Sequence, residues 1–210
     1  GTTAVSNGAQ IMHMFTVVII GLAMGTTVRI ARAIGAGDRE NAARNIGNTF
    51  TLFTIVAIIT TAILLAANKG IVNLIDTPQE AVKGTIDYLR ICFIGIPFII
   101  AYNIIASIFR GLGDSKSPMY FVIVACVVNI ALDYIFIGHF KMGATGAALG
   151  TTLSQAVSVI VAAIMIKKKS LMSITRQDLR PERRTMAGIL KTGVPISLQD
   201  GFIQIAFIAI

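Results

Sequence analysis

A carboxylate inside an apolar stretch is the side chain in this sequence best suited to chemistry. Asp133 lies in such a stretch, and Asn129 precedes it by four residues, which places both side chains on one face of a helix. A carboxylate beside an amide in semi-dry surroundings takes up and releases H⁺ or holds Na⁺, because desolvation raises its affinity for a proton. The alternative is a fixed polar pair that bonds neighbouring helices.

Further polar residues inside apolar stretches are candidates for a substrate cavity. Gln10 shares a helix face with His13, which is either a proton relay or a structural residue. Asn103 either meets a substrate or bonds across helices. Gln199 and Asp200 form a second polar pair, and Asp200 either lines the same cavity as Asp133 or reaches water near a helix end.

Glycine, proline and small residues give two further signals. Gly95 and Pro97 lie near the middle of an apolar run and predict a hinge, since proline removes an intrahelical hydrogen bond. A stripe of small residues recurs every four positions in a later run and predicts close helix packing. Its members are Gly146, Gly150, Ser154, Ser158 and Ala162.

Several signatures of other chemistries are missing from the sequence. We find no Walker loop, no His-Glu-x-x-His and no Gly-x-Ser-x-Gly. The two cysteines, Cys92 and Cys126, have no metal-ligand spacing. We therefore expect no enzyme activity, no cofactor and no use of ATP.

The elements that must position these residues are long apolar helices. The sequence is 55% hydrophobic and 13% charged, with a mean hydropathy of +0.78, whereas a soluble domain carries about a quarter charged residues. Six runs approach the roughly 20 residues that a bilayer span requires. They lie at about 9–28, 46–67, 86–108, 118–138, 143–166 and 187–210. Since backbone groups in lipid must be paired internally, we predict an all-α, polytopic transmembrane helix bundle with about six spans.

The basic residues give an orientation. The net charge of +8 would suggest nucleic acid for a soluble chain, but most of the 18 Lys and Arg residues lie in alternate gaps between the apolar runs. These gaps are 29–45, 109–117 and 167–186, and the positive-inside rule assigns them to the cytoplasm. We expect the lipid bilayer as partner and no nucleic acid.

Two similar turns follow the first and third runs. Gly35-Ala36-Gly37-Asp38 and Gly111-Leu112-Gly113-Asp114 share the pattern Gly-x-Gly-Asp. They are either traces of an internal repeat, which transporters often contain, or two helix ends in which glycine adopts the left-handed conformation and aspartate begins the next helix.

An ordered set of motifs resembles the multidrug and toxic compound extrusion (MATE) family of secondary transporters. The matching segments, spread across nearly the whole sequence, are Gly35–Ala42, Tyr88–Arg90, Arg110–Pro118, Asn129–Tyr134, Gly143–Thr151 and Gly193–Pro195. The sequence starts at Gly1 and stops inside an apolar run, so we expect a piece of a longer protein.

The resemblance implies about twelve spans in two six-helix lobes, of which this chain would hold spans two to seven. Residues 1–166 would be most of the first lobe, 167–186 a cytoplasmic linker, and 187–210 the first span of the second lobe. The family's first-lobe cation site corresponds here to Asp133, Asn129 and Thr151. A further acidic residue of that site belongs to the family's first span, which this sequence does not include.

The function that the resemblance implies is antiport at the plasma membrane. An amphipathic, often cationic drug or toxic metabolite would leave in exchange for H⁺ or Na⁺, with Na⁺ binding at Asp133. One alternative is a lipid-linked oligosaccharide flippase of the same superfamily. The other is a membrane sensor or scaffold that transports nothing, in which Asp133 would be replaceable.

Overall fold

A computed structural model describes residues 2–74, 79–169 and 174–209, and these residues are helical with short connections. The predicted all-α class is confirmed, and no strand occurs in the three described segments. The helices are α1 (Thr2–Gly35), α2 (Arg39–Leu74), α3 (Gln79–Gly111), α4 (Lys116–Asp133), α5 (Gly143–Lys169) and α6 (Arg183–Ala209). A π-helical segment, Tyr134–His139, continues α4.

Five of the helices are long and apolar enough to cross a membrane, namely α1, α2, α3, α4 with its π segment, and α5. Within the described residues α6 does not meet the same test, although it occupies the predicted sixth run. α5 reaches Lys169 and α6 begins at Arg183, so both extend into the predicted linker 167–186. Residues 170–173 of that linker lie outside the described segments, and the division into lobes stays a prediction.

The two Gly-x-Gly-Asp turns each end one helix and begin the next. Gly37 has a φ of 72° and Gly113 a φ of 85°, the left-handed conformation that favours glycine. The Asp38 amide donates to the Ala33 carbonyl at 2.9 Å, which closes a Schellman motif. The Oδ1 of Asp38 then accepts a hydrogen bond from the backbone N–H of Asn41 at 3.0 Å and caps α2. The helix-end interpretation therefore accounts for both turns without a repeat.

α3 is the most buried of the spans and packs against α1, α2 and α5, while α4 lies outside them against α5. The small-residue stripe of α5 is buried along its whole length, as predicted. Small residues also bring α1 and α6 together, where a β-carbon on Gly25 would collide with the backbone of Ile189. Close backbone approach of this kind is how helices associate in lipid.

The three basic connections meet at one end of the bundle. A common cavity is lined by Ile34 at the end of α1, by Leu112 after α3 and by several linker residues between Thr175 and Glu182. Lys169 at the end of α5 forms an ion pair with Asp114, which precedes α4. The common location agrees with the predicted placement of all three connections on one side of the membrane.

Candidate functional site

Asp133 lies at the junction between α4 and the π segment, with Asn129 one turn before it. Both side chains are half-buried and face α5 at Gly150. A β-carbon added to Gly150 would collide with Oδ1 of Asp133 and lie 3.6 Å from Nδ2 of Asn129. The absence of a side chain at position 150 therefore creates the space that the carboxylate occupies.

Two atoms of this pair are buried without a hydrogen-bond partner: Oδ1 of Asp133 and Nδ2 of Asn129. A fixed structural pair would have bonds to neighbouring helices, and the structure records none for these two atoms. Leaving such a group unpaired costs about 1–3 kcal/mol, or more when it is charged. A proton or a small cation at Oδ1 would remove that cost. Across the described segments, His, Cys, Asp and Glu side chains form no group of three or more that could hold a metal ion.

α3 contributes a residue that the sequence analysis noticed only as part of a motif. Tyr88 is buried, and its hydroxyl lies close enough to the Cys92 side chain and to Asp133 to interact electrostatically with both. Its polar hydroxyl within an apolar run was the available sequence signal. The sequence alone could not indicate that α3 turns this hydroxyl towards α4.

A cavity of about 330 Å³ lies between α1, α3 and α5. Of the residues predicted for the site, Asn103 and Thr151 line it. Its other polar lining residues are His13, Thr16, Tyr88, Cys92, Tyr102, Thr152 and Gln155. The volume is at the lower end of the roughly 300–1,000 Å³ that ligand pockets occupy. The lining combines aromatic rings, amides and hydroxyls, which suits an amphipathic molecule.

The remaining predicted cavity residues lie elsewhere. Gln10 and Gln199 are exposed, Asp200 is half-buried on α6, and none of the three lines the 330 Å³ cavity. The structure therefore brings Asn103 and Thr151 together. It does not bring Asp200 to Asp133, because the described part of α6 makes no contact with α4. A substrate role for Gln10, Gln199 and Asp200 stays a prediction.

The two residues of the predicted hinge differ in what they do. A β-carbon on Gly95 would lie 2.8 Å from Oγ1 of Thr152, so glycine is needed there for α3 to pack against α5. Pro97 lies inside α3, which is helical on both sides of it. Bending at this point stays a prediction.

Comparison with known proteins gives a consistent result. The family model MatE matches residues 1–135. The probable multidrug resistance protein YpnP of Bacillus subtilis (strain 168) is 34% identical over 181 residues, 86% of this chain and 40% of that protein. The probable multidrug resistance protein YoeA of the same organism is 28% identical over 221 residues, 100% of this chain and 48% of that protein.

The fold agrees with solved transporters as well. A structure described as the inward-facing conformation of a multidrug resistance MATE family transporter of the MOP superfamily superposes with a TM-score of 0.90 at 32% identity. The superposition covers 97% of this chain and 47% of that one. The chain thus spans about half the length of the relatives it matches.

Proposed function

The chain belongs to the MATE family of transporters, and on this premise we propose that it carries the cation-coupling site of a multidrug exporter. It is a multi-pass protein of the plasma membrane. The observation that supports the proposal is the pair of unpartnered atoms, Oδ1 of Asp133 and Nδ2 of Asn129, held against Gly150.

Coupling would work through the charge of Asp133. An ionised carboxylate facing a semi-dry space is costly, and H⁺ or Na⁺ bound at Oδ1 neutralises it. Neutralisation shifts the balance between two packings of α3, α4 and α5, because only the packing that buries Oδ1 gains from it. Sodium would also need neutral oxygen ligands, and the Asn129 side-chain carbonyl and the Tyr88 hydroxyl are two candidates, since Asn129 lies one turn before Asp133 and Tyr88 interacts electrostatically with it.

The transported molecule would be an amphipathic, often cationic drug in the cavity beside Thr151. Tyr88 and Tyr102 offer ring faces that attract organic cations. Asn103 and Gln155 offer amide groups that orient a polar end. Two relatives are named as probable multidrug resistance proteins, which favours this class of substrate. The exchange draws on an ion gradient, and no covalent chemistry, ATP or cofactor enters it.

The test is drug efflux from cells that lack their own pumps, using the full-length protein that contains this chain. We expect Asp133→Asn to abolish ethidium efflux at unchanged membrane abundance, because a neutral amide cannot exchange the coupling ion. Asp38→Asn is the matched control, since it removes the same charge outside the spans and asparagine caps a helix as well as aspartate. Equal efflux by the Asp133→Asn variant and the parent would refute the proposal.

A second experiment on the same cells, loaded with dye, identifies the coupling ion. Imposing a Na⁺ gradient at fixed pH, and a pH gradient without Na⁺, separates the two ions. Efflux through the parent protein is expected to follow one of the two gradients, and neither gradient should drive efflux through the Asp133→Asn variant. Efflux that follows neither gradient would contradict antiport.

A further inference from the structure

A second cavity lies at the basic end of the bundle, and Asp133 is not among its lining residues. Its volume is about 900 Å³, and it is bounded by the end of α1, the start of α2 and most of the linker residues from Thr175 to Glu182, though not by Arg176. Its charged lining residues are Arg39, Glu40, Arg44, Asp178, Arg180 and Glu182. Neither the coupling site nor the substrate cavity uses any of them.

The linker segment that bounds this cavity is hydrogen-bonded to α2. The fully buried amide of Asn48 accepts the Glu182 backbone N–H at 2.8 Å and donates to the Asp178 carbonyl at 3.3 Å. The Thr51 hydroxyl donates to the Leu179 carbonyl at 2.8 Å. Gly47 lets the backbone of Asp178 approach α2 where any β-carbon would collide. These contacts therefore fix the position of the linker side of the cavity.

The three acidic residues of the cavity already have partners. Glu40 pairs with Arg44 at 2.8 Å. Oδ2 of Asp178 accepts the Thr175 amide at 2.8 Å and the Thr175 hydroxyl at 2.7 Å, and these bonds hold the pKa of the Asp178 carboxyl below its usual value. The Thr185 hydroxyl donates to Oε2 of Glu182 at 2.7 Å.

Two of the three arginines have no such partner. Arg39 and Arg180 are exposed, and neither forms an ion pair within 4.0 Å in the part of the chain that the structure describes. A guanidinium presents five N–H donors in a planar fork that matches carboxylate and phosphate oxygens. Arg39 and Arg180 thus offer unused N–H donors to an anion, whereas each of the three carboxylates already accepts at least one hydrogen bond.

We propose that this cavity binds a phosphate group, with Arg39 and Arg180 as its main donors. Phosphate is favoured over carboxylate by position, because the cavity lies at the ends of membrane-spanning helices, where the bilayer presents its phosphate layer. The group comes from an inner-leaflet phospholipid or from a soluble phosphorylated compound. An occupant would join the start of α2 to the linker that leads into α6.

The test measures thermal unfolding of the purified, delipidated full-length protein by loss of its monodisperse peak in size-exclusion chromatography. One arm adds phosphatidylglycerol in mixed micelles, and a second adds inorganic phosphate. A third adds cholesteryl hemisuccinate, which carries the same charge without phosphorus. The variant is Arg39→Gln with Arg180→Gln, and Arg176→Gln is the matched control, an exposed linker arginine outside the cavity.

We expect a saturable rise in the unfolding temperature of the parent with one phosphate source and a smaller rise with the hemisuccinate. The double variant should need roughly tenfold more of that source, or more, since it lacks two charge-assisted hydrogen bonds. The Arg176→Gln protein should match the parent. A response to phosphatidylglycerol alone assigns the phosphate to lipid, and a response to inorganic phosphate assigns it to a soluble compound.

Two results would overturn the proposal. One is an equal response of the parent and the double variant to every addition. The other is a hemisuccinate response as large as that to phosphatidylglycerol, which would indicate charge screening alone. Should the double variant fold poorly, Arg39→Lys with Arg180→Lys keeps both charges and removes the planar fork, and it should still weaken the phosphate response measurably.

Discussion

Gly150→Ala tests whether Asp133, Asn129 and Gly150 form the seat of the coupling ion. The added β-carbon would overlap Oδ1 of Asp133 and lie 3.4 Å from its Cγ, slightly closer than the roughly 3.5–4.0 Å at which two carbon atoms pack best. Either the carboxylate leaves its position or α5 moves away from α4. Both outcomes disrupt the ion site without replacing a charged residue.

The magnitude follows from two opposing terms. Overpacking a well-packed interior costs about 1–3 kcal/mol, and exchanging glycine for alanine inside a helix returns about 1 kcal/mol. The net loss is therefore at most about 2 kcal/mol, too little to unfold most proteins. If that loss falls on the ion-bound state, coupled efflux drops by up to about thirtyfold.

The assay is ethidium efflux at matched membrane abundance, with thermal unfolding measured alongside. Gly70→Ala is the control, because Gly70 is an exposed helical glycine with nothing within 4 Å of an added β-carbon. It should keep efflux and gain slightly in stability. In an Asp133→Asn background, Gly150→Ala should cause no further loss of coupling, since both changes act on one site. Parental efflux by Gly150→Ala, with its ion dependence intact, would refute this reasoning.

Two further predictions concern the basic end of the bundle. The hydrogen bond from Lys169, at 2.5 Å, holds the pKa of the Asp114 carboxyl far below its usual range. Asp114→Asn should therefore lower the unfolding temperature at pH 7 by an amount worth less than about 1 kcal/mol, because the pair is partly exposed. Because the pKa of Asp114 is lower in the folded than in the unfolded protein, its carboxylate stabilises the folded state above the unfolded pKa of about 4, and this stabilisation is lost as the pH falls. The difference in unfolding temperature between the parent and Asp114→Asn should therefore narrow at pH 3. An unchanged difference would contradict the pairing. Asn48→Leu should leave the Glu182 backbone N–H without its acceptor, which costs about 1–3 kcal/mol of stability. Trypsin should then cleave the linker faster. Asn73→Leu, on the exposed face of α2, should not change the cleavage rate. Equal cleavage rates would show that the linker is held by other contacts.

The parts of this protein that the sequence determines are those with local causes. Span length, apolar composition and alternating basic gaps predicted the helices and their common basic end, because each depends on residues close together in the chain. The turns at Gly37 and Gly113 follow the same logic, since a left-handed glycine and a capping aspartate act within a few residues. The pairing of Asn129 with Asp133 was likewise predictable from helical spacing.

Only the tertiary structure decided which distant residues meet. Helical periodicity gives the face that a side chain occupies, but it gives neither the rotation of that face in the bundle nor the neighbour it meets. Gly150 belongs to the site because α5 crosses α4 at Asp133, and Asp200 stays off the 330 Å³ cavity because of where α6 lies against α1. Asn48 holds a backbone amide 134 residues away, a contact that no local pattern encodes.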